Sequence, residues 1–138
     1  MKSFILTVRI LSVAFIGVSL LHLFMGMYAD AALGAPVTAQ MSSNPSFDSQ
    51  NRFYGITFSL LGVALLISCT DLRRYYPIIN AAFAVLFAAG IARVAAWIIN
   101  GAPSPIIIGI LYADLLLPPV LYFWLKHNLK TLDSYPNT

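Results

Sequence analysis

The chain has 138 residues, 59% of them hydrophobic and 9% charged, with a formal net charge of +3 and a mean hydropathy of +0.82. A water-soluble domain carries about 25% charged residues, so this chain lacks the polar side chains to coat a surface in water; its class is membrane protein. Of its Lys and Arg residues only Arg9 and Arg93 fall inside apolar runs. The rest stand at run ends, a topology signal and not a nucleic-acid patch.

The first run, from Met1 to Met27, opens with Lys2 and stays apolar for about 23 residues, enough to cross a hydrocarbon core of roughly 30 Å. Ala29-Asp30-Ala31 loosely resembles a signal-peptidase site, but the run exceeds a signal h-region of about 7–15 residues. It is read as a membrane helix over about 4–27. Arg9 is close enough to its start to snorkel to the interface.

Residues 28–50 form a long loop of small and polar residues with Pro36, Pro45, Asp30 and Asp48 and no Lys or Arg. Such a length points to a cap over the bundle end or to a short helix of its own. Ser46 and Asp48 are the candidate caps for the helix that follows.

The second span is expected over 51–70. Gly55, Ser59 and Gly62 share one face, with Cys69 seven residues on, and small residues at these intervals let another helix approach closely in lipid. Arg52 in its first turn opposes the helix dipole, so an acidic partner is expected; Asp48, Asp30 or a ligand would serve. Cys69 is the only cysteine, which excludes an internal disulfide and a multi-cysteine metal site. It is read as a small packed residue.

Asp71 to Tyr76 is a polar link carrying Arg73 and Arg74, and Pro77 suits the start of a third span over 77–99. On that span Asn80, Phe83, Phe87, Gly90, Arg93 or Val94, and Trp97 form one stripe. Asn100-Gly101-Ala102-Pro103-Ser104 is the turn into a fourth span over 105–125, which Pro118-Pro119 should kink. The tail from Lys126 to Thr138 is polar and read as frayed or interfacial.

The centre of this pattern is one charge in each of the last two spans. Arg93 and Asp114 lie about nine and twelve residues from the middle of the turn, or roughly 13–18 Å along antiparallel helices. A lone charge in a bilayer costs several kcal/mol, so the two are expected to pair. The positive charges at the other ends place both termini in the cytoplasm and the long loop outside. On that topology all four spans send polar groups to one outward zone: His22, Asn51, Arg52, Tyr54, Arg93, Trp97 and Asp114, with Asn100 and Tyr112 at the same level. Ser12, Ser19, His22 and Gly26 share a face of the first span, which suits burial.

Catalytic signatures are missing: no HExxH, no phosphate loop, no dinucleotide fingerprint and no nucleophile elbow. His22 and His127 lie near opposite sides, so they are not a haem pair. No cofactor or metal is expected.

Three stretches carry a family resemblance: Asn51-Arg52-Phe53-Tyr54-Gly55, Gly90-Ile91-Ala92-Arg93 and Asn100-Gly101-Ala102-Pro103, completed by Asp114 as the acidic residue of the last span. On these the chain resembles a family of small bacterial four-helix membrane proteins, domain of unknown function 4345. The family more typically has glutamate where this chain has Asp114. The resemblance implies a four-helix membrane fold with no established activity; taken with length, composition and charge pattern, the expectation is an all-α, four-helix transmembrane bundle as a single domain over 1–138, in the bacterial inner membrane.

Three function readings follow. The first is a non-catalytic accessory subunit packing against a larger membrane partner through the small-residue face of the second span. In the second, Arg52, Arg93 and Asp114, with His22, Asn51, Tyr54 and Trp97 around them, bind a lipid or a small anionic molecule in an outward pocket, where arginine's planar fork suits an anion. The third, ranked last, is a membrane enzyme acting on a lipid-like substrate through His22 or Asp114.

Overall fold

The computed structural model describes residues 1–133. They form six helices: α1 Lys2–Met25, α2 Met27–Ala32, α3 Ala39–Ser42, α4 Pro45–Ser68, α5 Tyr76–Asn100 and α6 Pro105–Asp133. Four of these, α1, α4, α5 and α6, are long and apolar enough to cross a membrane. Lipid cannot satisfy a bare backbone polar group, which is why such runs close their hydrogen bonds within a helix. Their outer faces are apolar; Ile98 and Ile99 are 79% and 78% exposed. In water that would be an aggregation surface, and in a bilayer it is ordinary.

Two boundaries differ by more than two residues from the sequence expectation. The helix α4 starts at Pro45, six residues earlier than the expected 51. Asn44 caps it: its side-chain oxygen accepts from the backbone N–H of Ser46 at 3.0 Å and of Phe47 at 3.3 Å, and Pro45 occupies the first turn, where its missing donor costs nothing. Neither Ser46 nor Asp48 is the cap. Arg52 therefore stands about two turns inside the helix. The other difference is α6, which continues through Pro118-Pro119 and past 125 to Asp133, so most of the expected tail is helical; residues 134–138 lie outside the described residues. The two prolines remove the donors that would bond the carbonyls of Asp114 and Leu115.

The long loop does carry short helices, α2 and α3. Gly26, with φ 55°, is the elbow between α1 and α2. That left-handed backbone suits glycine, and a side chain there would collide with Asp48 and Arg52. The elbow turns α2 back over the end of the bundle. Further on, Gly34 lies against Ser104 in the turn between α5 and α6, so the loop reaches from one helical hairpin to the other.

Packing pairs α1 with α4 and α5 with α6, and α4 touches α5. The small-residue face of α4 is used here. Gly55 lies under the His22 side chain, and a Cβ at Gly62 would stand 2.7 Å from the Ser12 carbonyl oxygen. Within this chain, α1 already occupies the surface that motivated an accessory role. The buried core joins Phe4, Val8, Leu65, Cys69, Leu72, Ile79, Ala82, Phe83, Leu121 and Leu125. These come from the start of α1, the end of α4 and the link after it, the start of α5 and the later part of α6. In antiparallel helices that is one end of the bundle. There Phe4 meets the edge of Trp124 at 5.5 Å, and the N-terminal amine donates to Asn128 Oδ1 at 3.2 Å.

Candidate functional site

Bordering that core, the two hairpins part around a cavity of about 480 Å³, within the roughly 300–1,000 Å³ of small-molecule sites. Its apolar wall draws on all four long helices: Leu11, Phe15 and Val18 from α1, Phe58 from α4, Leu86 and Ala89 from α5, and Ile110, Leu117 and Leu121 from α6. Its polar lining is His22, Asp30, Asn51, Tyr54, Arg93 and Asp114.

The polar residues fall into two groups, one per hairpin. On the first hairpin, His22 Nδ1 is 2.8 Å from the carbonyl oxygen of Val18, one turn back in α1. A carbonyl only accepts, so Nδ1 carries a hydrogen and donates it. His22 Nε2 faces Asp30 Oδ1 at 3.3 Å, and Asn51 donates its amide N–H to Asp30 Oδ2. Asp30 thus ties α2 to both α1 and α4. On the second hairpin, Arg93 Nε donates to Asp114 Oδ2 at 2.9 Å. Asp114 is the more buried partner, its side chain 13% exposed, while that of Arg93 is 38% exposed. The short aspartate side chain thus reaches the guanidinium. Gly90, one turn before Arg93, lies against Leu115 and the backbone of Asp114, which brings α5 and α6 close at this level.

Arg52 has other partners. Its Nε donates to Asp48 Oδ2 at 2.7 Å and its Nη1 to the Leu23 carbonyl, while Met27 N–H donates to Asp48 Oδ1 at 3.4 Å. This group pins the elbow at Gly26. The acidic partner expected for Arg52 is therefore Asp48. Of the seven residues expected in one outward zone, His22, Asn51, Tyr54, Arg93 and Asp114 line the cavity; Arg52 and Trp97 do not. Asp30 is the member that sequence reasoning placed elsewhere. Its signal was faint: a glycine at 26 that permits a reversal, and an acid eight residues after the only histidine in the first run.

The fold and cavity define a class: an all-helical protein with four helices of membrane-crossing length and a part-polar chamber between two helical hairpins. The chain belongs to the family described as Domain of unknown function (DUF4345), which it matches over residues 4–125. No curated protein and no solved structure matches it.

Proposed function

We propose that this protein binds a lipid-like amphiphile in the chamber between its hairpins, with the ligand's polar head at the His22–Asp30–Asn51 and Arg93–Asp114 end and its apolar part against Phe15, Phe58, Leu86 and Leu117. The observation that carries this reading is a part-empty apolar space with two hydrogen-bonded ion-pair groups on its wall. A bundle built only for stability gains by closing such a space, because each void forfeits packing. Charges inside a membrane domain otherwise mark functional positions.

The chamber opens on the outward side of a bacterial inner membrane, with both termini in the cytoplasm. Support comes from charge placement. Lys2, Arg73, Arg74, Lys126 and Lys130 cluster at the core end, while Asp30 and Asp48 belong to the other.

The test is extraction in mild detergent followed by native mass spectrometry. Wild type is expected to carry a bound lipid-like molecule, and Ala89→Phe, which fills the chamber from α5, is expected to lose it without losing its helix content. A wild-type protein with no adduct, or an Ala89→Phe protein with the same adduct, refutes the reading.

A further inference from the structure

Resting on that reading, we propose that the head group of the ligand is uncharged and carries hydroxyl or carbonyl oxygen, as in a monoacylglycerol or a fatty alcohol. On the chamber wall the charged groups already face partners. Its ionisable groups at neutral pH are His22, Asp30, Arg93 and Asp114. Arg93 and Asp114 cancel. Asp30 is engaged on both oxygens, Oδ1 facing His22 Nε2 at 3.3 Å and Oδ2 accepting from Asn51, and His22 Nδ1 donates to the Val18 carbonyl. The nearby Arg52–Asp48 pair is neutral as well and already closed on itself.

An anion entering this space finds no spare cation. It could take Arg93 only by leaving the buried Asp114 without its partner, and removing one partner of a buried pair is strongly unfavourable. A cation meets the same obstacle with the signs reversed. An uncharged oxygen-bearing head has neither problem. Among the described residues Arg93 makes its hydrogen bond through Nε alone, and Asp114 accepts through Oδ2 alone. The Nη groups of Arg93 remain as donors for a carbonyl or hydroxyl oxygen, and Asp114 Oδ1 remains as an acceptor for a hydroxyl. The wall therefore offers donor and acceptor side by side without breaking its own pair.

Three probes of equal chain length separate the possibilities: lauroylglycerol, dodecyl phosphate and dodecyltrimethylammonium, titrated against the full-length protein in detergent by native mass spectrometry. Lauroylglycerol is expected to bind at least tenfold more tightly than either charged probe, and Ala89→Phe is expected to abolish its binding. If a charged probe binds as well or better and Ala89→Phe blocks it, the chamber reading stands and the neutral-head assignment falls. A preference for lauroylglycerol below tenfold also overturns the assignment. If no probe binds, or if Ala89→Phe leaves binding untouched, both fall together.

Discussion

Arg93 and Asp114 each make the other tolerable. Taking one away leaves a charge in an apolar setting, so Asp114→Asn is expected to destabilise the protein by about 3 kcal/mol, the low end for a buried pair because Arg93 is only part buried. The double variant Arg93→Gln/Asp114→Asn is expected to lose less than the two single variants summed, since it removes both charges at once. Asp114→Glu keeps the carboxylate beside Arg93 and is expected to melt within a degree or two of wild type. Denaturation in a mild-detergent to dodecyl-sulfate gradient measures all four. Arg52 gives a contrast at the same scale. Its partners are Asp48 and Leu23, so Arg52→Gln is expected to weaken the elbow while leaving any bound amphiphile in place, whereas Arg93→Gln is expected to lose it. Native mass spectrometry of the two variants decides that.

Among the elements, the close contact is α1 on α4. At Gly62 there is no room for a methyl group beside the Ser12 carbonyl, so Gly62→Ala is expected to cost about 1–3 kcal/mol, as overpacking usually does. Gly109, where a Cβ meets nothing, is the control: Gly109→Ala is expected to be neutral or slightly stabilising through helix propensity. The short helix α2 depends on fewer ties. Asp30→Asn leaves the amide nothing as strong to offer His22, and hydrogen exchange across 27–32 is expected to speed up while the exchange of α5 and α6 stays unchanged. Exchange rates slowed or unaltered at α2 would show that Asp30 is no tether.

At the scale of the whole molecule, the charge asymmetry predicts the orientation in the bilayer. In a Cys69→Ser background, a cysteine at Ser43 is expected to react with a membrane-impermeant maleimide added outside intact cells. A cysteine at Thr131 is expected to react only after the membrane is opened. The reverse labelling pattern would place the chamber on the cytoplasmic side. The same scale explains why the bundle is solid at one end and open at the other. Phe4, Leu65, Ile79, Phe83, Leu121 and Leu125 fill the first end. At the other, His22 and Asn51 bond Asp30 and Arg93 bonds Asp114, each group within its own hairpin, and space is left between.

The residues alone determined the four spans and the pairing of Arg93 with Asp114. Both follow from cost: backbone and charge stripped of water have few ways to be satisfied, and a run of apolar residues shows that stripping directly. The start of α4 is hidden because Ser46, Asp48 and Gln50 look like loop, while Asn44 and Pro45 carry the local start signal. Only the tertiary structure decided that Asp30 joins His22, that Arg52 turns to Asp48 and that the small face of α4 is covered by α1. It alone decided that the hairpins diverge to leave a chamber. A chamber is a difference between the volumes of elements distant in sequence, and no local pattern of residues encodes such a difference.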